Sequence, residues 1–428
     1  MKVNKNRVKN TAIIGITALA ITSCVSSSKA QKDNAIVNTN NIERTEDMDN
    51  NYLILSDAQL SAVSKSNSFA FNLFRTQAGM DSKVVSPLSV AYLMGMLANG
   101  SEGNTHAEIM NALGMSNVSL QTLNEAYKAI INTASNLDKQ TTVNIANCIA
   151  VNQQISLKEE YKKAMSQTYN AQVESMNFAG DAIKRINSWC DKQTNGMIPS
   201  IINQLNPNAL TVIMNAIYFN GTWDKKFDKK DTKKEPFKGY TRDIKRVDMM
   251  QQKAKFDFIE QNDFSAINLP YGNGTYEMTI ILPHDGKSTT EIMEKLDAEK
   301  LSELNNNMEK CIVDLKLPRF STSTETQLNK PISNLGAPSM FIAGKADFNK
   351  ISDTPMFISS MLQKAKIEVS EEGTKTAAVT AGVMMMSALP SSQPRLVEFH
   401  ADHPFVYIIT ERHTGAIFFI GQYTGDNL

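Results

Sequence analysis

Residues 371–390 of the 428-residue chain read Glu-Glu-Gly-Thr-Lys-Thr-Ala-Ala-Val-Thr-Ala-Gly-Val-Met-Met-Met-Ser-Ala-Leu-Pro, and no other stretch limits the fold so tightly. Two acids and a glycine, Glu371, Glu372 and Gly373, lead into small, β-branched or flexible residues with one charge, Lys375. Side chains along a strand alternate between two faces. Thr374, Thr376, Ala378, Thr380 and Gly382 would therefore share one face, and Lys375, Ala377, Val379 and Ala381 the other. Small residues on one face suit a strand slotted between two existing strands, while the single charge on the opposite face stays wet. Gly373 stands where the chain would have to swing, because glycine adopts backbone angles closed to other residues. A segment that can be either an exposed loop or an internal strand is a conformational switch. The plainer alternatives are a surface linker or an ordinary edge strand.

Three further segments narrow the choice. In Ser86-Pro87-Leu88-Ser89-Val90-Ala91-Tyr92-Leu93-Met94-Gly95, Ser86 can cap a helix that has Pro87 in its first turn, with Leu88, Ala91, Tyr92 and Gly95 at helical spacing. Asn99-Gly100 ends it. Residues 215–223 alternate as a sheet strand should, Tyr218, Asn220 and Thr222 against Ile217, Phe219 and Gly221, between Asn215 and Trp223. Residues 406–409 and 417–421 are two apolar strands joined by residues 411–415 and preceded by Phe399-His400-Ala401-Asp402-His403-Pro404-Phe405.

These segments, in this order, resemble the serpins, the loop-insertion protease inhibitors, from about residue 56 to 425. The resemblance implies an α+β fold of three β-sheets with eight or nine helices and an exposed reactive-centre loop. It makes Glu371, Glu372, Gly373, Thr374, Lys375, Thr376, Ala377, Ala378, Val379 and Thr380 the hinge of that loop. It makes Ser86, Ser89, Asn215, Trp223 and Gln363 the shutter and breach residues around which the main sheet opens. The usual family spacing from Glu371 puts the reactive bond at Ser387–Ala388, with Met386–Ser387 the nearest competitor. Such side chains suit elastase-, chymotrypsin- or subtilisin-like serine proteases, with papain-like cysteine proteases a second target class. The implied activity is suicide inhibition through a covalent acyl complex, with no cofactor, no catalysis by the chain itself, and a monomeric inhibitor. A non-inhibitory carrier, chaperone or surface-binding lipoprotein on the same fold is the alternative. Two departures stand out. Many serpins place histidine where this chain has Gln363, which can still donate and accept hydrogen bonds. Thr376 and Val379 replace alanines common in inhibitory hinges, and both suit a strand.

The N-terminus bears on location. Lys2, Lys5, Arg7 and Lys9 precede a short apolar core at residues 11–21, too short to span a membrane as a helix. Ile21-Thr22-Ser23-Cys24 resembles a bacterial lipobox, which makes residues 1–23 a lipoprotein signal, Cys24 the lipidated residue, and the bacterial cell envelope the expected address, periplasmic or at the surface. Plain secretion after a cut near residues 28–30 is the alternative. Residues 24–55, poor in large apolar groups, read as a flexible tether before a domain at 56–428.

Composition excludes other classes. Lys+Arg and Asp+Glu both number 44, which argues against a nucleic-acid partner. The lysines at 225, 226, 229, 230, 233 and 234 are interrupted by Asp224, Asp228 and Asp231 and read as a solvated face. Beyond Cys24 only Cys148, Cys190 and Cys311 remain, an odd number without metal-ligand spacing, which fits buried free thiols. No nucleophile elbow, phosphate-binding glycine loop or His-Glu-x-x-His occurs. His400 and His403 read as structural, and the adjacent Glu371 and Glu372 would point to opposite faces of a strand, a poor acid/base pair but a plausible anchor.

Overall fold

Strand Thr211–Thr222 is apolar on both faces, the pattern of a strand buried on both sides. In the computed structural model, which describes residues 52–77, 79–241, 244–374 and 394–425, it lies at the middle of a six-stranded sheet. The order is Phe320–Gln327, Ser360–Ser370, Gly373–Thr374, Thr211–Thr222, Thr141–Asn152 and Gln172–Met176. Ile213, Ile217 and Phe219 face the main core, and Val212, Met214, Ala216 and Tyr218 face a second, smaller one. Helix Ala182–Gln193 covers that second face, and its buried residues, Ala182, Ile186 and Cys190, recur every fourth position to form a single stripe.

Behind the sheet lies helix Pro87–Gly100, with proline at its first turn and nearly every side chain buried. A helix apolar all round belongs in an interior. Around it stand Asp57–Arg75, closed at its start by a Ser56/Gln59 capping box, Leu120–Ala134 and Glu159–Tyr169. Nine α-helices occur among the described residues.

The remaining strands form one hydrogen-bonded network rather than two separate sheets. It runs Lys83–Val85, Ile417–Tyr423, Phe405–Glu411, Tyr276–Pro283, Phe264–Tyr271, Ile244–Glu260, Glu309–Pro318, Leu396–His400. The 17-residue strand Ile244–Glu260 joins two strand sets, because its first half pairs with Lys233–Lys238 and its end with Phe264–Tyr271. The expected second and third sheets are thus continuous through this strand. The C-terminal hairpin forms from the two apolar strands expected, with Ile408 opposite Ile420. Leu53 is already buried in the main core, so the packed chain begins ahead of Ser56. Cys148, Cys190 and Cys311 are buried free thiols.

Candidate functional site

The site is a seam in the six-stranded sheet. Strands Ser360–Ser370 and Thr211–Thr222 run parallel and pair directly from Ser360↔Val212 to Ala365↔Ile217. Above that point they part, and Gly373–Thr374 enters between them, antiparallel to both. Thr374 faces Val369 on one side and Gly221 on the other. The chain reaches this gap through a turn at Glu371 and Glu372, so the two acids do not alternate on a strand as the sequence reading has them. Gly373 has φ +139°, and a Cβ there would stand 2.1 Å from Gly221 O. Only glycine makes the swing.

The turn is held from several elements. Glu371 is 2% exposed and accepts hydrogen bonds from Thr232 Oγ1 at 2.7 Å, Arg319 Nε at 3.2 Å and Arg319 Nη2. Burial alone would raise its pKa; the bonds from Arg319 and Thr232 outweigh it and hold the carboxyl below its ordinary range. Glu372 takes Lys226 at 3.0 Å and Lys229 at 3.2 Å, and those bonds, Lys226 foremost, keep it ionised to lower pH. Two of the lysines read as a solvated face therefore hold the turn. Backbone bonds complete the clamp, from Trp223 N to Glu372 O and from Phe227 N to Glu371 O, each 3.0 Å. Trp223 also donates Nε1–H to Ser370 O at 2.9 Å and stacks on Tyr271, ring centroids 4.3 Å apart. The Tyr271 hydroxyl hydrogen-bonds Thr374 Oγ1 at 2.8 Å. Thr374 is fully buried, already inside the sheet.

Lower on the seam a row of amides crosses three strands. Gln363 is opposite Asn215, and Asn215 is opposite Asn147. Gln363 pairs with the backbone of Ser86 in both directions: Ser86 N–H donates to Oε1 at 3.1 Å, and Nε2 donates to Ser86 O at 2.7 Å. The Ser86 hydroxyl donates to Ser89 Oγ at 2.8 Å and accepts no bond from a helix-start N–H, so the expected side-chain cap is absent. Asn215 Nδ2 donates to Asn147 Oδ1 at 3.0 Å and Ala146 O at 3.1 Å. Among the described residues no donor reaches Asn215 Oδ1, although the residue is fully buried. All five groups are neutral, so acid does not act here.

The structure thus gathers Glu371, Glu372, Gly373, Thr374 and Trp223 at the head of the seam and Ser86, Ser89, Asn215 and Gln363 at its middle. Lys375, Thr376, Ala377, Ala378, Val379, Thr380, Met386, Ser387, Ala388 and Cys24 lie outside the described residues. Arg319, Thr232, Tyr271 and Asn147 were not legible as site residues. No local motif marks them, and only the strand register brings them in.

A family model described as Serpin (serine protease inhibitor) matches residues 64–425. The chain is a serpin. Human Serpin B3 is 32% identical over 392 residues, covering 85% of this chain and 100% of that protein. Iripin-2 of Ixodes ricinus is 31% identical over 382 residues, 86% and 95% of the two chains. Leukocyte elastase inhibitor of Xenopus tropicalis is 32% identical over 377 residues, 83% and 97% of the two. Among solved structures, the thermophilic serpin tengpin in its native state superposes with a TM-score of 0.79 at 25% identity, over 87% of this chain and 95% of that one. The α+β serpin fold read from the sequence holds, and the family is one of protease inhibitors rather than of enzymes.

Proposed function

We propose that this serpin traps its protease covalently, by inserting the cleaved loop into the seam. One observation carries the reading. A strand of two residues already sits antiparallel to both of its parallel neighbours, in the only orientation that lets the following residues extend it. Attack by a serine protease would form an acyl-enzyme at Ser387–Ala388, or at Met386–Ser387, and release the loop from its far anchor. The freed hinge would then zip down the seam, carry the tethered enzyme with it, and distort its active site before water completes hydrolysis.

The register supplies a detail. Continued step for step from Thr374, the inserted strand brings Thr380 opposite Asn215 on one side and Gln363 on the other. Its hydroxyl would supply the donor that Asn215 Oδ1 lacks. Each strand hydrogen bond gained contributes about 0.5–1.5 kcal/mol, so the uncut fold is held by a kinetic barrier above a deeper minimum. Relatives named leukocyte elastase inhibitor support elastase-like enzymes as targets, and Cys24 supports a lipid anchor in the bacterial envelope.

Mixing the protein with elastase tests this. A covalent band at the summed mass on a denaturing gel, and a loop-nicked form markedly more heat-resistant than the intact one, are expected. Clean cleavage with no gain in heat resistance refutes the reading.

A further inference from the structure

The seam divides the molecule into two halves, tied together behind the sheet by hydrogen bonds that include Lys158 N–H to Ile351 O, 2.9 Å, at the start of helix Glu159–Tyr169. On one side, strand Ser360–Ser370 is fastened through Gln363 to Ser86, the residue that begins helix Pro87–Gly100. That helix is fastened in turn to helix Leu120–Ala134 by a reciprocal pair of amides, Asn99 Nδ2 to Asn124 Oδ1 and Asn124 Nδ2 to Asn99 Oδ1, each 2.9 Å. On the other side, strands Thr211–Thr222, Thr141–Asn152 and Gln172–Met176 are laddered together. Helix Glu159–Tyr169 belongs with them, since Asn147 Nδ2 donates to Tyr169 O at 3.3 Å and the chain runs from Tyr169 almost directly into Gln172–Met176.

Admitting a whole new strand means widening the seam by one strand spacing, about 4.8 Å. Helix Glu159–Tyr169 must then slide by a similar distance against helices Pro87–Gly100 and Leu120–Ala134. Its two buried tyrosines bond across that slide. Tyr169 OH donates to Asn124 Oδ1 at 2.6 Å and accepts from Asn99 Nδ2 at 3.4 Å. Tyr161 OH donates to Met96 O at 3.0 Å. The Tyr169 hydroxyl gets this close because residue 95 is glycine; a Cβ there would stand 2.6 Å from it. On the outer face Lys364 Nζ also crosses, to Ser200 O at 2.9 Å, at a part-exposed position where water can take over.

We propose that the hydroxyls of Tyr161 and Tyr169 are the latch of the seam, positioning residues that set the rate of loop insertion from behind the sheet. This rests on the insertion reading above. Tyr169→Phe is a clean deletion, because Asn124 Oδ1 keeps its bond from Asn99, and the Met96 carbonyl released by Tyr161→Phe stays within its helix.

The test compares wild type, Tyr161→Phe, Tyr169→Phe and Tyr127→Phe. Tyr127 is equally buried, but its hydroxyl bonds Ser66 at 2.9 Å, between two helices on the same side of the slide. Each protein is nicked by saturating elastase, and insertion is followed by stopped-flow tryptophan emission, Trp223 lying beneath the hinge. The latch variants should insert about five-fold faster per hydroxyl removed and trap more protease per molecule, while Tyr127→Phe inserts at the wild-type rate. Unchanged rates in both latch variants overturn the latch and leave insertion standing. Equal acceleration in Tyr127→Phe overturns it too, by showing general loosening. A wild type that gains no heat resistance on nicking overturns the inhibitory reading, and the latch with it.

Discussion

Replacing Arg319 by alanine isolates the clamp at the head of the seam. Glu371 would keep its burial and its bond from Thr232 Oγ1 but lose both guanidinium bonds. A buried carboxylate that loses its partner costs about 3–5 kcal/mol where the whole pair is buried. Here the Arg319 side chain is 45% exposed and Thr232 remains, so the loss is smaller, about 2 kcal/mol. The cost falls on a local opening, because among the described residues the turn at Glu371 and Glu372 takes two backbone bonds, from Trp223 N and Phe227 N. Those two amides report it. Hydrogen exchange at Trp223 and Phe227 should accelerate about 30-fold in Arg319→Ala, while amides at the Asn215–Asn147 level keep wild-type rates. Lys226→Ala, which removes one of two part-exposed partners of Glu372, should change the same rates less than three-fold. Acid gives a second axis. The folded-state pKa of Glu371 lies below 4.5, so its stabilisation is complete above that value and is lost as pH falls through the depressed pKa. Wild-type protection of the two amides, taken relative to their intrinsic exchange, should therefore fall below about pH 4.5, and the Arg319→Ala profile should be flatter. Equal exchange in wild type and Arg319→Ala, or equal acceleration by Lys226→Ala, would refute the clamp.

Glu277 is 3% exposed, and burial pushes its pKa from 4.5 up to about 7, against Arg412 and Lys310 and with Asp257 and Glu411 nearby. A raised acid pKa means lost stability as pH rises from 4.5 through 7, so Glu277→Gln should abolish a decline of about 2.5 kcal/mol, seen in denaturant melts at pH 5 and pH 8. Gly373→Ala should expel the two-residue strand, because its Cβ meets Gly221 O at 2.1 Å; loss of exchange protection at Thr374 and a red shift of tryptophan emission would show it. Thr380→Val should leave the melting of the intact protein unchanged and destabilise the nicked form by about 1 kcal/mol, the worth of the bond to Asn215. The thiols of Cys148 and Cys190, pushed up to about 12 by burial, should react with a disulfide reagent at pH 8 only after unfolding.

Most of the fold was legible because its central elements carry their environment in their own residues. Thr211–Thr222 is apolar on both faces because it lies between two cores, and Pro87–Gly100 is apolar all round because the sheet and three helices enclose it. The swing at Gly373 was legible for the same local reason, because its backbone angle admits only glycine. Strand alternation failed at Glu371 and Glu372 because a turn intervenes, and turns carry no alternation. Arg319 and Thr232 escaped notice because their partner, Glu371, is 52 and 139 residues away, a distance only the sheet register closes.

The seam also differs in chemistry along its length, and that difference orders its opening. Its head is charged, with Glu371 and Glu372 held by Arg319, Lys226 and Lys229. Its middle is neutral, with Ser86, Gln363, Asn215 and Asn147 joined by amide bonds. Acid and salt weaken the first set and leave the second untouched. The head is where Gly373 and Thr374 already part the strands, so in the insertion proposed above the seam opens from its charged head toward its neutral middle. A histidine at position 363 would add a titrating group to the middle and let acid open both ends of the path together. With Gln363 there, strand separation at the shutter should show no acid dependence even where hinge exchange does, and Gln363→His should introduce one between about pH 5 and 7. If protection of the shutter amides of the wild-type protein falls with acid in step with that of Trp223 and Phe227, the two levels open as one unit and the stepwise account of insertion is wrong.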